Sequence, residues 1–408
     1  VLYEPAVLVG LIALIGLIAQ KKPVTECIKG TVKTIMGFVI LGAGAGLVVS
    51  SLGDFANIFQ HAFGIQGVVP NNEAIVSVAQ KSFGKEMAMI MFFAMVINIM
   101  IARFTPWKFI FLTGHHTLFM SMMVAVILAT AGMTGITLIA VGSLVVGVAM
   151  VFFPAIAHPY MKKVTGSDDV AIGHFSTLSY VLAGFIGSKF GNKEHSTEDM
   201  NVPKSLLFLR DTPVAISFTM SIIFLVTCLF AGADAVKELS GGKNWFMFSI
   251  MQSITFAAGV YIILQGVRMV IAEIVPAFKG ISDKLVPNAR PALDCPVVFP
   301  YAPNAVLVGF LSSFAAGLIG MFTLYLLNMI VIIPGVVPHF FVGAAAGVFG
   351  NATGGRRGAI LGAFAQGLLI TFLPVFLLPV LGDIGFANTT FSDADFGALG
   401  ILLGIIVR

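Results

Sequence analysis

Hydrophobic residues occur along this chain in long stretches that short polar segments interrupt. A helix that crosses a hydrocarbon core of about 30 Å needs roughly 20 apolar residues. The stretches that approach this length cover residues 5–20, 31–52, 87–102, 107–131, 134–156, 212–232, 245–266, 304–333, 359–382 and 396–408. The pattern predicts an all-α polytopic membrane protein with roughly ten or eleven transmembrane helices.

Three other segments are neither continuous apolar runs nor typical loops. Residues 73–86 place their apolar side chains near one helical face, which predicts a helix lying in the membrane interface. Residues 170–190 are apolar but rich in Gly, Ser and Thr, and residues 337–358 have short apolar arms around Gly-rich breaks. Both of these segments are predicted to form re-entrant hairpins.

The most hydrophilic stretch, residues 189–211, lies near the middle of the chain. The halves 1–211 and 212–408 have a similar order of spans, polar-interrupted segment and Gly-rich hairpin. This order suggests an inverted repeat within a single membrane-embedded unit. Inverted repeats allow a transporter to alternate between outward and inward states around one site near the membrane midplane.

Composition and charge exclude a water-soluble fold and indicate a topology. Hydrophobic residues make up 58% of the chain and charged residues only 10%, against about 25% charged in a typical soluble domain. The net charge of +4 comes from Lys and Arg at the ends of apolar runs, which is typical of a protein in contact with lipid and not of one that binds nucleic acid. The first loop carries Lys21, Lys22, Lys29 and Lys33. The positive-inside rule therefore predicts an N-terminus outside, and an odd number of spans returns Arg408 to the cytoplasm.

Polar groups inside apolar stretches are the candidate sites, because ionisable side chains at membrane depth face protein or a water-filled cavity. The first place is Gly114-His115-His116. We interpret His115 as a hydrogen-bonding partner of a polar solute, and the alternative is a pair of neutral histidines bonded to neighbouring helices. Adjacent helical residues point about 100° apart, so the two histidines are not expected to share a metal ion.

The second and third places are Gly173-His174 and Asp294. A helix broken by Gly173 can present free backbone groups beside the imidazole of His174, although a loop histidine facing water fits equally well. Asp294 lies among four prolines, which exclude a continuous helix. Apolar neighbours at 297–299 favour its burial over a surface connector, and Asn304 is expected to cap the helix that follows.

Other features narrow the class of protein. Three cysteines, Cys27, Cys228 and Cys295, have no metal-binding or CxxC spacing, so neither a disulfide framework nor a metal site is expected. The chain contains no Walker lysine motif, which argues against an ATP-driven pump, and nothing in it predicts a cofactor. Arg268 and Glu273 form either a stabilising pair or part of a pathway lining, although their spacing of five is poor for direct pairing on a helix.

Several motifs together resemble one known family. They are IKGTVKTIMGF at 28–38, LTGHH at 112–116, IGH at 172–174, ED at 198–199, QGVRMVIAE at 265–273, FKGIS at 278–282, DC at 294–295 and YAPNAV at 301–306. In this order they resemble the ascorbate-specific membrane component, IIC, of the bacterial phosphoenolpyruvate-dependent phosphotransferase system.

The resemblance implies a homodimer in the bacterial cytoplasmic (inner) membrane, with about eleven transmembrane helices per chain. Each chain would have a dimerising scaffold domain and a mobile core domain with two hairpins, and an elevator-like movement of the core would carry L-ascorbate. A cytoplasmic IIB protein, itself charged by IIA, would then phosphorylate the solute from a phosphocysteine. No catalytic residue is therefore expected on this chain.

Carried over by position, the family's substrate-contacting histidines fall on His115 and His174, and its carboxylate falls on Asp294. The full set of predicted substrate-binding residues is His115, His174, Asp294, Asn72, Glu73, His116, Thr117, Leu118, Phe119 and Phe175.

Several of these positions depart from the family pattern. A Thr-Tyr pair is replaced by Asn72-Glu73, a Gln by Phe119, and the Gln after the second histidine by Phe175. Ascorbate is a monoanion at neutral pH, so Glu73 would repel it unless protonated or turned away. A polyol or another sugar acid is therefore an alternative substrate. An ion-coupled secondary transporter in which Asp294 titrates is an alternative mechanism.

Overall fold

The chain folds into long helices joined by very short strands. The computed structural model describes residues 5–65, 67–200, 205, 208–209, 211–382 and 389–407. The helices of the first half are α1 (Pro5–Ala19), α2 (Val24–Phe63), α3 (Asn72–Phe104), α4 (Gly114–Thr130), α5 (Gly135–Thr165) and α6 (Thr177–Phe190). Those of the second half are α7 (Thr212–Ala231), α8 (Ala233–Leu239), α9 (Trp245–Leu285), α10 (Pro303–Leu326), α11 (Val336–Leu381) and α12 (Ala394–Val407). The strands are β1 (Gly67–Pro70), β2 (Phe109–Phe111), β3 (Ala171–Ile172), β4 (Arg290–Leu293), β5 (Val331–Ile332) and β6 (Thr389–Thr390).

Within these described ranges, seven helices are long and apolar enough to cross a membrane, namely α2, α3, α5, α7, α9, α10 and α11. Large apolar side chains project outward from the helices, and Ile136, Leu326 and Ile405 are 87%, 77% and 71% exposed. Such side chains are stable in lipid and costly in water. The prediction of a mostly helical, multi-span membrane protein is confirmed, whereas the count of eleven spans stays a prediction.

The segment 73–86 was predicted as a separate interfacial helix, and this prediction is wrong. It forms the beginning of α3, which continues without interruption to Phe104. The Asn71 side chain caps this helix by accepting a hydrogen bond from the Ala74 amide at 2.7 Å. No proline interrupts the segment, and residues 74–76 are fully buried. Its apolar face therefore packs against protein instead of lying on the membrane surface.

The apolar stretch 107–131 does not form one span either. Residues Phe109–Phe111 form β2, and α4 begins only at Gly114. The stretch 304–333 divides in a similar way into α10 and β5. In both places two or three residues pair with a strand that is distant in sequence, and this pairing competes successfully with helix formation.

Two three-stranded parallel sheets join the halves of the chain, with the orders β5-β1-β6 and β2-β4-β3. The central strand of each sheet comes from one half and its two neighbours come from the other. β1 pairs with residues 331–332 and 389–390, while β4 pairs with residues 109–111 and 171–172. Each half therefore completes the sheet of the other.

The predicted hairpin at 337–358 falls on a break inside α11. Gly354 and Gly355 have non-helical torsion angles, with φ of +60° at Gly355, and divide α11 into two helical arms. A Cβ atom on Gly350 would clash with the carbonyl of Gly358, eight residues further on, and this close approach shows that the two arms fold back on each other. The predicted hairpin at 170–190 consists of β3, a short loop and α6.

Candidate functional site

A cavity of about 500 Å³ lies where the carboxyl ends of the strands meet. Its volume is typical of pockets that hold a small solute. Its lining residues are Asn72, Glu73, Leu112, Thr113, His115, His116, Phe119, His174, Leu264, Arg268, Leu293, Asp294, Cys295, Pro296, Val297, Val337, Pro338, Phe341, Val342, Ser392 and Asp393.

The strands explain why residues from distant parts of the sequence meet here. Asn72 follows β1, His115 follows β2, His174 follows β3 and Asp294 follows β4. The chain after β5 brings Val337, and the chain after β6 brings Ser392 and Asp393. A short strand held by backbone hydrogen bonds fixes the position of the residue that comes next, so all six strands orient parts of one wall.

Asp294 lies between two histidines. Its Oδ2 is 3.5 Å from His115 Nε2, and its Oδ1 is 3.8 Å from His174 Nε2. The same Oδ1 accepts a hydrogen bond from the Cys295 amide at 2.7 Å, which fixes the orientation of the carboxylate. The imidazole separations exceed the 2.7–3.2 Å of a usual hydrogen bond, so these polar atoms keep bonding capacity for a ligand in the cavity.

His116 is held in one tautomer by the backbone. The Phe175 amide donates a hydrogen bond to His116 Nδ1 at 3.2 Å. Because a backbone amide can only donate, Nδ1 carries no proton, and the neutral ring carries its proton on Nε2. Nε2 faces Asp393 Oδ2 at 3.9 Å, and the ring centroid lies 3.8 Å from that of His174. His116 therefore presents a donor to the acidic side of the cavity.

The adjacent histidines lie closer together than their sequence spacing suggested. Their ring centroids are 4.7 Å apart, and one ligand atom from each lies within 4.8 Å of Asp294 in a trio that could hold a metal ion. His116 nevertheless fits poorly as a ligand through Nε2, since a metal-bound histidine donates a proton from its other nitrogen and His116 Nδ1 accepts one. His116 is therefore unsuited to either trio that contains it, and the third such trio among the described residues is His174, Asp294 and Cys295.

His174 is also fixed from behind the cavity. Its Nδ1 shares a hydrogen bond of 2.8 Å with the Tyr180 hydroxyl. Tyr180 is fully buried and stacks on Phe349 with a centroid distance of 5.2 Å. This contact leaves His174 Nε2 directed at Asp294.

Seven of the ten residues predicted for the site lie on the cavity wall, and three do not. Thr117, Leu118 and Phe175 are at most 1% exposed and lie behind the wall. The Phe175 ring stacks on Phe111 with a centroid distance of 4.6 Å, so only its backbone amide serves the site, through His116.

Sequence reasoning missed two aspartates, one on the cavity wall and one beside the cavity. Asp393 lies on the wall and accepts a hydrogen bond from the Ser392 hydroxyl at 3.0 Å, while the Ser392 amide donates to Asn72 Oδ1 at 2.9 Å. The Asp395 carboxylate accepts from the amides of Thr177 and Leu178, each at 2.8 Å. The segment Ser392-Asp-Ala-Asp before an apolar run is a helix-capping signal that could have identified both aspartates.

The N-termini of α6 and α12 cross each other next to these two aspartates. Asp395 lies in the first turn of α12 but caps the N-terminus of α6, and its own amide donates to the Phe175 carbonyl at 3.2 Å. The Ala394 amide donates to the Ser176 hydroxyl at 3.2 Å. The two helix N-termini thus bind each other beside the cavity.

An ion-pair network fixes the beginning of β4, the strand that precedes Asp294. The Asp168 carboxylate lies 2.6 Å from Lys162 Nζ, from His158 Nε2 and from Arg290 Nη2. Hydrogen bonds from Lys162 and His158, and then the Arg290 guanidinium, hold the pKa of Asp168 well below its usual value. The network connects the end of α5 to the first residue of β4.

Asn304 does not cap α10 as predicted. The helix begins at Pro303, and the Glu198 carboxylate accepts from the amides of Asn304 and Ala305 at 3.0 and 3.1 Å. A carboxylate at a helix N-terminus is stabilised by the helix dipole. The polar segment 189–211 thus caps the N-terminus of α10 through Glu198.

A second cavity of about 550 Å³ lies next to the first. The two share the wall residues Leu264, Arg268, Pro296 and Phe341. The predicted pair of Arg268 with Glu273 lies outside the described side chains. Arg268 itself lines both cavities.

Comparisons with known proteins identify the family to which the chain is similar. The family model described as "PTS system sugar-specific permease component" matches residues 1–395. The "Ascorbate-specific PTS system EIIC component" of Mycoplasma pneumoniae is 27% identical over 452 aligned positions, which cover 96% of this chain. The chain spans about two thirds, 66%, of the length of that relative. The family resemblance predicted from the motifs is confirmed.

Proposed function

Because this chain belongs to the family of sugar-specific permease components of the phosphotransferase system, we propose that it binds L-ascorbate in the first cavity and carries it across the bacterial cytoplasmic membrane. The observation that carries the proposal is Asp294, placed between His115 and His174 on the wall of a cavity among membrane-spanning helices. The ascorbate specificity in the name of the relative supports this choice of solute.

The chemistry of the wall fits a polyhydroxy solute. Carboxylates accept hydrogen bonds from hydroxyl groups, and Asp294 and Asp393 offer such acceptors on two sides of the cavity. The Nε2 proton of His116 offers a donor, and Phe119 offers an apolar face. His115 and His174 complete the ring of polar groups around the solute.

Phosphorylation is assigned to partner proteins. A IIB component would transfer the phosphoryl group to the solute after IIA has charged it. Cys27, Cys228 and Cys295 are all buried, whereas a phosphocysteine that exchanges with a partner needs an accessible thiolate. We therefore assign substrate binding and translocation to this chain.

The element order supports the proposed repeat of residues 1–211 and 212–408. The first half runs α1, α2, β1, α3, β2, α4, α5, β3 and α6. The second half runs α7, α9, β4, α10, β5, the two arms of α11, β6 and α12, with α8 as an addition. In this correspondence the counterpart of the hairpin 170–190 is the β6–α12 segment, and the arms of α11 correspond to α4 and α5.

The remaining architecture follows from the family resemblance. The 14 residues of α6 span about 21 Å at 1.5 Å per residue, too short to cross the hydrocarbon core, which supports a re-entrant element. We propose a homodimer whose scaffold domain dimerises while the core moves like an elevator. The N-terminus lies outside and the C-terminus in the cytoplasm, as the basic first loop predicts.

A binding measurement on the purified full chain tests the proposal. We expect His115→Ala, His174→Ala and Asp294→Asn each to weaken ascorbate binding about 10- to 100-fold, because each removes a polar contact. Asp234→Asn, at an exposed position on α8, is the matched control and should bind like the parent chain. Ascorbate binding that all three cavity variants retain would refute the proposed site.

Glu73 on the cavity wall favours a second candidate, a neutral polyol, over an anion. A competition panel of ascorbate, galactitol and gluconate decides between them, and ascorbate as the strongest competitor rules out the polyol. Ion-coupled transport is the other alternative. Uptake into vesicles that persists without IIB but stops with an uncoupler would favour it and contradict phosphorylation-linked transport.

A further inference from the structure

Arg268 lies on the wall between the two cavities, in the membrane-spanning helix α9. Among the described residues that line either cavity, it is the one Lys or Arg. The guanidinium keeps its charge at any physiological pH and carries five donors in a fixed plane. A permanent positive charge is therefore available from both cavities.

Among the described side chains, no carboxylate forms an ion pair with this charge. By contrast Arg290, the other arginine close to the site, is bound to Asp168 at 2.6 Å. Arg268 lies beyond the described apolar span Trp245–Gly266 of α9, and its side chain is exposed and therefore open to a ligand.

Charged groups of both signs line the first cavity. Glu73, Asp294 and Asp393 lie on the walls built by the strand ends, while Arg268 lies on the wall shared with the second cavity. A neutral polyol would use the carboxylates and leave the arginine without a partner. A polyhydroxy compound with one anionic group would bind Arg268 through that group and the carboxylates through its hydroxyl groups.

We propose that Arg268 forms an anion subsite on the shared wall, which binds the negative charge of a polyhydroxy monoanion while the carboxylates of the first cavity accept hydrogen bonds from its hydroxyl groups. This inference rests on the proposed function and deepens it, because it assigns the charge of the substrate to one residue. Since Arg268 borders both cavities, the anion keeps the same partner as it passes between them.

The test compares an anion with a neutral molecule of similar size on the purified full chain. Dissociation constants are measured for ascorbate and for the uncharged L-gulono-1,4-lactone. Arg268→Gln should weaken ascorbate binding about 10- to 100-fold and change lactone binding less than about threefold. Arg268→Lys, which keeps the charge, should restore most of the ascorbate affinity.

Arg103→Gln is the matched control, because it removes one positive charge at an exposed position outside both cavities. Ascorbate binding by Arg268→Gln at the parent affinity would overturn the inference, and so would an equal loss for both ligands. If Arg268→Gln does not fold, the salt dependence of ligand binding by the parent chain tests the anion subsite instead. Ascorbate binding should weaken between low salt and about 0.5 M salt while lactone binding does not, and a salt-independent ascorbate affinity overturns the subsite.

The outcomes separate this inference from the proposed function. A parent chain that binds neither ligand contradicts ascorbate as the substrate. A parent chain that binds ascorbate, with Arg268→Gln unchanged, preserves the proposed function and removes the anion subsite.

Discussion

The three histidines of the cavity are held in different ways. His116 accepts from the Phe175 amide and His174 bonds to the Tyr180 hydroxyl. Within the described part of the chain, His115 has no hydrogen bond, only the approach of Asp294 at 3.5 Å and contacts with neighbouring rings. We infer that His115 adapts to the solute, while the other two present fixed atoms.

The Tyr180 hydroxyl is predicted to orient His174. Tyr180→Phe removes a neutral hydrogen bond worth about 1 kcal/mol, so ascorbate binding should weaken about fivefold. The measurement is the dissociation constant together with the melting temperature of the same sample. Tyr325→Phe, at a half-exposed position on α10, is the control and should bind as the parent does. Parent-like binding by Tyr180→Phe would show that the imidazole needs no such partner.

The sequence identified His115, His174 and Asp294 because each is a polar group within or beside an apolar stretch. It did not identify Asp393 and Asp395, which lie at the edge of such a stretch and resemble ordinary helix-capping residues. Their burial arises only when α12 meets α6, and that contact joins residues 218 positions apart. A contact between residues so far apart in the sequence leaves no recognisable pattern in the sequence around either residue.

At the scale of single elements, the strands of two to four residues determine the site. β2 and β5 lie within longer apolar runs, and strands of two to four residues are too short for an alternating pattern to distinguish them from a helix. The stretch 107–131 was read as one span for this reason. The long helices, by contrast, were predictable, since apolar length alone indicates them.

The ion-pair network at β4 yields a pH-dependent prediction. The pKa of Asp168 is lowered in the folded chain, chiefly by Lys162, so its contribution to stability is complete above the unfolded value of about 3.9 and is lost as the pH falls below it. Asp168→Asn should melt at a lower temperature than the parent at pH 6, and the difference should shrink below about pH 4. Melting curves of both proteins across this range provide the measurement.

A constant difference at all pH values would contradict this account, because it would mean that the charge of Asp168 does not matter. Asp169→Asn is the matched control at the next position. Its carboxylate accepts from the Ser167 hydroxyl and has no ion pair among the described side chains. We expect little change in its melting temperature.

At the scale of the whole molecule, the two halves are interlocked. The similar order of elements on either side of residue 211 was suggested by the apolar pattern. The exchange of strands between halves was not, because the pairing of β1 with β5 and β6 depends on how the halves are placed together. The sequence therefore suggested the order of the elements and did not indicate how the two halves assemble.

The orientation of the whole chain is testable through its first loop. Lys22→Cys places a thiol at an exposed position between α1 and α2, and the native cysteines are buried and give little background. A membrane-impermeant thiol reagent should label this variant only after the cells are permeabilised, because the positive-inside rule predicts that the basic loop lies in the cytoplasm. The parent chain is the control. Labelling of Lys22→Cys in intact cells would contradict the predicted topology.

The binding of the α6 N-terminus by Asp395 has a consequence for biosynthesis. The amides of Thr177 and Leu178 emerge from the ribosome long before the carboxylate that caps them, which lies 218 residues after Thr177. At about 5 to 20 residues per second, this interval lasts roughly 10 to 40 seconds. During that time α6 lies uncapped in a half-built protein, and β1 lacks β5 until residue 332 has been made and β6 until residue 390 has been made. A nascent chain that stalls before residue 389 would therefore be a substrate for membrane chaperones and quality-control proteases, even with most of its helices already inserted.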